Sequence, residues 1–524
     1  MSARSGPRPL TVTPRPLTGL AALLGTALPT DAATLAVTGV TLDSRRVVAG
    51  DLYAGLPGAV THGARFAGAA AAAGAVVLLT DDEGVGLAAG SGLPALVVAD
   101  PRARLGEVAA EVYGQPGRDL ILVGVTGTNG KTTTTYLLDS VLRRAHGVTG
   151  LIGTVETRIG DEVLPSVRTT PEAPDVHALL AVMRERGVRA CAMEVSSHAL
   201  ALGRVDGVVF DVAVFTNLSQ DHLDFHGSMQ DYYATKAELL TGRRSRRGVV
   251  CVDDPYGMRA ATEASVPVVT VSTGPTGDAD WRVLDREPVG PGATTRFVLA
   301  HRDGRRLPAV SPLPGDFNVA NAALAVVTAM EAGVDPEVAA AALATSPGVP
   351  GRMERVHGAG ADEPLAVVDY AHTPDAVAGA LRALRPATTG RLVVVLGAGG
   401  DRDAGKRPLM GEAAARWADV VVVTDDNPRS EPPGAIRAAV LDGTTRVAPA
   451  DRADVIEVAG RADAVQVAVG MVAGGQDTVL VAGKGHEQGQ EVAGVVHPFD
   501  DRVVLRAALQ HRESRPADRV GDRW

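Results

Sequence analysis

The chain has 524 residues, 45% hydrophobic and 21% charged, with a formal net charge of −10. This length predicts about three domains at roughly 150 residues each, the composition is that of a globular protein, and the negative balance argues against nucleic-acid binding, which needs a basic footprint. Two cysteines, Cys191 and Cys251, cannot make a disulfide framework and fit a reducing cytoplasm, and no run approaches the ~18 apolar residues of a membrane span.

Arg4, Arg8 and Arg15 precede a mildly apolar stretch over 17–28. Proline breaks the arginine region and glycine interrupts the apolar run, so 1–16 reads as a disordered leader rather than a signal peptide. From 17 to 117, short apolar runs (75–79, 95–98) alternate with helical patterns such as 64–73, the signature of a small α/β domain. A second domain, 118–347, opens on a buried-strand run at 120–125, then a glycine loop and a helix over 132–144. Strands at 190–195 and 208–215 and helices at 175–185 and 231–240 imply a parallel sheet with crossover helices. The segment 345–352, with Pro347 and Pro350, reads as a linker. In the third domain, 348–524, the alternation restarts with strands at 365–369, 392–396, 420–423 and 478–481. Helices are expected at 375–384, around 410–417 and at 502–510. The fold class is therefore α/β. Polar loops follow three of those strands, at 397–403, 424–429 and 483–487, where doubly wound sheets place their ligands, and this suggests one cleft.

Only four lysines are present, Lys131, Lys236, Lys406 and Lys484, and arginine supplies the remaining 47 of the 51 basic residues. A lysine retained in such a chain is a candidate for what guanidinium cannot do: act as a compact point charge or lose its proton. Lys131 lies in Gly124-Val-Thr-Gly127-Thr128-Asn129-Gly130-Lys131-Thr132-Thr133, after a strand and before a helix. That context makes a phosphate loop, with Lys131 reaching the β/γ-phosphates of ATP and Thr132 holding Mg²⁺. Strict spacing would put the first glycine at Val125, so the loop is a variant. Glu194, ending a strand, is a candidate Mg²⁺ ligand or a cap for the next helix. His222, in Asp221-His222-Leu223-Asp224, is a candidate metal or phosphate ligand or a structural histidine. Lys236, as a plain ammonium, would repel Mg²⁺ and reads from charge alone as a surface lysine.

Taken together, Gly-Thr-Asn-Gly-Lys-Thr-Thr, Glu-Val-Ser-Ser-His-Ala-Leu, Phe-Thr-Asn-Leu-Ser-Gln-Asp-His-Leu-Asp-Phe-His and Gly-Asp-Phe-Asn-Val-Ala-Asn resemble the Mur ligases of peptidoglycan synthesis. Gly-Gly-Asp-Arg-Asp-Ala-Gly-Lys, Asp-Asn-Pro-Arg and Gly-Lys-Gly-His-Glu narrow the resemblance to members adding 2,6-diaminopimelate to UDP-N-acetylmuramoyl-L-alanyl-D-glutamate. The resemblance implies an N-terminal UDP-binding domain, a central ATPase and a C-terminal Rossmann-like domain. It implies ATP-driven amide formation through an acyl phosphate, with two Mg²⁺ ions, in a monomeric cytoplasmic enzyme. It makes Lys236 a lysine carbamylated by CO₂, an anion that helps hold Mg²⁺, and places Lys131, His222 and Lys236 in catalysis.

By the same resemblance, Leu42 and Ser44 touch the uridine nucleotide, and Thr169, Thr170, Ser196 and Arg204 line the muramoyl-dipeptide. Arg168 and Leu202 depart from the polar amides of better-known relatives. Asn318, Asn321, Arg352 and Asp369 resemble the groups binding adenine and ribose, though two asparagines at this spacing also read as a helix-cap pair. Diaminopimelate differs from lysine by a distal carboxylate, which calls for a bidentate cation. Arg429, in Asp426-Asn427-Pro428-Arg429, fits, with Arg402 as a second partner; alone, that tetrapeptide would read as a surface turn. The resemblance adds Gly483 and Glu487 at the amino-acid end. The alternatives are a sister ligase adding lysine and a non-catalytic nucleotide-binding homologue. A folylpolyglutamate synthetase would not need the UDP domain.

Overall fold

A computed structural model describes residues 7–28, 32–274, 278–289, 294–358 and 363–513. The chain divides into two compact units. One takes in the chain to Val283 with Leu299–Leu307 and Ala323–Ala342, and the other takes in Leu284–Val298, Pro308–Ala322 and the chain from Leu343.

The first unit begins with a four-stranded parallel sheet in the order Gly39–Thr41, Asp51–Ala54, Val77–Thr80, Ala95–Val97. The helices Leu17–Leu24 and Pro101–Val112 bury Leu17, Leu20, Leu105 and Val108 against Leu52 and Val77 of that sheet. Asp100 accepts from Ala103 N–H and Pro101 opens the second helix, a start signal in which both residues satisfy or avoid orphan donors.

The leader expected over 1–16 lies outside the described residues only at 1–6. From Pro7 the segment is held in place. Arg8 forks onto Asp51 with both bonds at 2.6 Å, and Arg15–Pro16 pairs antiparallel with Ala36–Val37. Leu10 and Thr11 N–H donate to the Glu185 carboxylate at 2.8 Å each. These partners are distant in sequence, so local composition carries no trace of them.

A larger sheet follows in the order Glu162–Pro165, Glu156–Ile159, Thr149–Ile152, Ala190–Glu194, Ile121–Thr126, Val212–Phe215, Gly248–Cys251, Val268–Ser272. From Thr149–Ile152 onward these strands are parallel, and the first two add an antiparallel hairpin. The parallel strands are apolar on both faces because helices cover both sides. The strand expected from 208 starts at Val212, since Phe210 makes only an isolated bridge to Ser245. Three strands, Trp281–Val289, Thr294–His301 and Arg306–Ser311, come where no element was expected.

The second unit carries a six-stranded sheet in the order Glu354–Arg355, Leu365–Asp369, Thr478–Ala482, Leu392–Leu396, Val420–Val423, Asp454–Glu457, with only the first strand antiparallel. Helices Lys406–Trp417 and Pro433–Thr444 meet through glycines. A Cβ on Gly411 would lie 1.9 Å from Val440 O, and one on Gly443 would lie 1.8 Å from Pro408 O. Among the described residues no helix is long and apolar enough to cross a membrane.

Candidate active site

In the first unit the central strand Ile121–Thr126 runs directly into the glycine loop. Gly127 adopts φ 145° and Gly130 φ 86°, backbone that L side chains avoid, and a Cβ on Gly127 would meet Thr216 Oγ1 at 1.9 Å. The loop is braced from behind. Asn129 N–H donates to Asn217 Oδ1 at 3.0 Å, and the Thr128 hydroxyl lies 3.2 Å from that of Tyr232. Lys131 opens the helix Lys131–His146 and donates to the Gly127 and Thr128 carbonyls at 2.9 Å each. Thr132 and Thr133 are buried on its first turn.

Parallel register brings the ends of three strands together, pairing Glu194 with Val125 and Phe215 with Thr126. The Glu194 carboxylate accepts from the Thr132 hydroxyl at 2.9 Å and from Thr154 N–H and Oγ1 at 2.7 and 3.1 Å. Glu194 is not the helix cap. Ser196 caps Ser197–Ala201 by accepting from Ala199 N–H.

Lys236 is 1% exposed, far from the surface lysine that charge reasoning suggested, and donates to the Gly127 carbonyl at 2.7 Å. Lys131 uses the same oxygen. Burial, reinforced by the charge of Lys131, holds the Lys236 ammonium well below the usual lysine range. A carbonyl shared by two lysine nitrogens is free of like-charge repulsion when one of them is a neutral amine. His222 sits at φ 53°, 3.5 Å from Asp221 and edge-on to His198 at 4.9 Å between ring centres. Burial lowers the pKa of both histidines.

Beside this lies the segment expected to line the dipeptide. Thr170 Oγ1 donates to Glu194 O at 2.8 Å and accepts from Ser196 N–H, while the Thr154 hydroxyl, whose proton goes to Glu194, lies 3.0 Å from the Thr169 hydroxyl and can accept from it. Arg204 pairs with Glu172 at 3.0 Å, and Arg168 and Arg102 reach the same carboxylate at 2.5 and 3.6 Å. Glu172, Thr154 and Tyr232 had no sequence signal, because each is recognised only by its partners. Leu202 ends the helix Ser197–Ala201. Leu42 and Ser44 lie apart, at the tip of the first sheet, where Ser44 starts a 3₁₀ turn capped by Asp43.

In the second unit, Asp369 ends its strand half-buried and accepts from Met353 and Ala371 N–H at 2.7 and 2.8 Å. Burial raises its pKa against the pull of Arg352, whose guanidinium stacks on Tyr370 at 4.3 Å. Asn318 donates to Pro314 O at 2.7 Å, and Asn321 Nδ2 to Asn318 Oδ1 at 3.2 Å, on the first turns of Asp316–Glu331.

The three polar loops follow the adjacent strands Thr478–Ala482, Leu392–Leu396 and Val420–Val423, so they share one end of the sheet. Asp426, Asn427 and Pro428 are buried, so Asp-Asn-Pro-Arg is not a surface turn. Arg429, at φ 52°, is pinned by a hairpin the sequence did not announce, Gly489–Val492 with Val495–Pro498. Its N–H donates to Glu491 O at 3.0 Å, its carbonyl accepts from Ala493 N–H at 2.7 Å, and its guanidinium donates to Gly400 O at 2.6 Å. Arg402 is exposed beside Gly399, which also neighbours Arg429. Gly483 has φ 116° and packs on Asp426, whose Oδ2 would lie 2.5 Å from a Cβ there. Asn427 Nδ2 donates to Glu487 Oε2 at 2.8 Å.

Three family descriptions fall along the chain: Mur ligase family, catalytic domain over 36–113; Mur ligase middle domain over 125–329; and Mur ligase, glutamate ligase domain over 351–485. A Streptomyces coelicolor protein named UDP-N-acetylmuramoyl-L-alanyl-D-glutamate–2,6-diaminopimelate ligase is 58% identical over 505 residues, 96% of this chain and 98% of that one. A Leifsonia xyli protein named UDP-N-acetylmuramyl-tripeptide synthetase is 48% identical over 97% of this chain and 99% of its own. A solved structure of a UDP-N-acetylmuramoyl-L-alanyl-D-glutamate–2,6-diaminopimelate ligase superposes with a TM-score of 0.65 at 33% identity, covering 92% of this chain and 96% of that one. With full-length relatives at this level and three family matches between residues 36 and 485, the chain belongs to the Mur ligase family.

Proposed function

We propose that the chain is the ATP-dependent ligase that joins 2,6-diaminopimelate to the D-glutamyl carboxylate of UDP-N-acetylmuramoyl-L-alanyl-D-glutamate. The relatives that bear this name support the reading, and the observation that carries it to the amino acid is Arg429, a guanidinium fixed at the cleft formed by the three loops. We place the domain boundaries at 17–117, 118–347 and 348–524.

The chemistry follows from the substrate. A carboxylate is a poor electrophile. It takes the γ-phosphoryl group of ATP, giving an acyl phosphate and ADP; the amine then attacks, and phosphate leaves the tetrahedral intermediate. Catalysis is largely the offsetting of gathered negative charge. Gly127–Thr133 is the site for the phosphates, with Lys131 turning from its two carbonyls to the β/γ-oxygens. Asn318, Asn321, Arg352 and Asp369 are assigned to adenine and ribose. Leu42 and Ser44 are assigned to uridine, and Thr169, Thr170, Ser196 and Arg204 to the muramoyl-dipeptide.

The donor set suits Mg²⁺, a hard cation that takes oxygen ligands: the Thr132 hydroxyl and the Glu194 carboxylate are in contact, and His222, which feels the charges of Lys131 and Lys236, is assigned to the same site. Mg²⁺, as two ions, would supply charge neutralisation on the phosphates. An ammonium at 236 does not fit such a site. The neutral amine at Lys236, favoured by burial, can add to CO₂, form a carbamate and release one proton, which turns a cation into an oxygen ligand. The protein is proposed to work as a cytoplasmic monomer.

The Leifsonia relative's name leaves the added amino acid unstated, so the lysine-adding alternative is tested directly. Phosphate release with ATP and the UDP-muramoyl-dipeptide is compared for meso-diaminopimelate, LL-diaminopimelate and lysine. A diaminopimelate isomer is expected to drive turnover and lysine to fail by a factor of about 10⁴, because the half-buried Arg429 would be left without its carboxylate. Turnover indifferent to all three amino acids would end the reading. Arg429→Ala is expected to raise the KM for diaminopimelate at least about 100-fold and leave that for ATP unchanged.

A further inference from the structure

Lys484 is completely buried in the second unit, yet no step above uses it. An ammonium in that position is costly unless its donors are taken up by charge and hydrogen bonds. Its Nζ donates to Asn427 Oδ1 at 2.9 Å and to Glu487 Oε2 at 3.0 Å, and lies 4.0 Å from Asp426 Oδ1. Asn427 Nδ2 donates to the same Glu487 Oε2 at 2.8 Å, which closes a ring of three hydrogen bonds. Asn427 Oδ1 also accepts from Glu491 N–H at 3.0 Å, so the ring extends to the hairpin that pins Arg429.

We propose that Lys484 is a positioning residue for the amino-acid substrate: its ammonium sets the amide orientation of Asn427 and the carboxylate of Glu487 before diaminopimelate arrives. The inference rests on the reading of this cleft as the diaminopimelate site. Two consequences follow from the geometry. The ring engages Glu487 Oε2 twice and turns Oε1, on a side chain 32% exposed, to the substrate ammonium. The charges of Lys484, Asp426 and Glu487 also sum to a single negative charge, which matches one ammonium; without Lys484 two carboxylates would crowd there. Arginine cannot substitute, because one nitrogen must make both bonds and a planar fork spreads its donors.

The test is steady-state phosphate release with all three substrates varied in turn, on Lys484→Met and Lys484→Arg, with thermal midpoints measured alongside. In Lys484→Met the KM for diaminopimelate is expected to rise about 30-fold, the scale of losing charge-assisted hydrogen bonds, while the KM values for ATP and the UDP substrate stay within about twofold. Lys484→Arg keeps the charge and recovers the thermal midpoint, but its KM for diaminopimelate stays raised about tenfold; recovery of both together would show a merely structural lysine and overturn the proposal. Should Lys484→Met fail to fold, Lys484→Arg alone reads the same quantity. Combined with Asn427→Ala, either variant should cost less than the product of the separate effects, because both act on one ring. A normal KM for diaminopimelate in the Lys484 variants, or equal rises for all three substrates, overturns the role of Lys484. If Arg429→Ala also binds diaminopimelate normally, the fault lies in the reading of the cleft.

Discussion

At the scale of single residues, the proposed phosphate loop is legible because its chemistry is local: Gly127, Gly130, Lys131 and Thr132 fall within six positions, and the proposed role asks for each on a stated physical ground. Lys236 and Lys484 were conspicuous only by rarity. Their partners lie 109 and 57 positions away, at Gly127 and Asn427, and no periodicity encodes such a meeting. For Lys236 the buried site asks for a neutral amine. Burial lowers its pKa, so the neutral form is reached at a lower pH than for an exposed lysine, and it grows as pH rises. Lys236→Arg, permanently charged, is expected to lower turnover at least about 100-fold while ATP still binds, as phosphate release and calorimetry would record. Protein stripped of CO₂ should lose turnover and regain it on adding bicarbonate near neutral pH. Activity unaffected by stripping would remove the carbamate from the mechanism.

At the scale of elements, parallel strands were the easiest to foresee. Leu392–Leu396 and Val420–Val423 are buried along their whole length and read as unbroken apolar runs between turn residues. Trp281–Val289 escaped notice because its burial alternates and fades toward its end, and charged residues fill the exposed face. The helix Ala173–Glu185 carries a test of pH dependence. His177 is fully buried, its Nε2 lies 2.9 Å from the Asp206 carbonyl oxygen, its Nδ1 meets no partner, and burial takes its pKa to about 4. Between that value and the ordinary ~6.5 the unfolded chain binds more protons, so stability falls as pH drops through this window and is level above it. The loss from His177 between pH 7 and 5 is about 2 kcal/mol, and His177→Phe should flatten the fall in unfolding midpoint by that amount. Gly443→Ala is a second test. Its methyl group meets backbone rather than a side chain that can swing away, so a loss of about 3 kcal/mol is expected, read as a lower thermal midpoint.

At the scale of the whole molecule, the strap formed by Arg8, Leu10 and Thr11 joins the first sheet, at Asp51, to the helix that ends at Glu185. Removing residues 1–12 should raise the KM for the UDP substrate about fivefold and leave that for ATP alone, since only the former depends on where the first sheet is held. Equal KM values with and without the segment would show that the strap carries no such role. Lysine placement also bears on how the protein can be handled. Lys236 and Lys484 are fully buried and Lys131 and Lys406 half-buried, and they are the chain's only side-chain amines. Amine-directed reagents therefore have almost no inert surface to consume them. Acylation of the native protein, followed by mass spectrometry, becomes an occupancy gauge: Lys131 should be protected when nucleotide is bound. Immobilisation through side-chain amines, harmless for most proteins, would here attach the support to the loops proposed to hold the substrates.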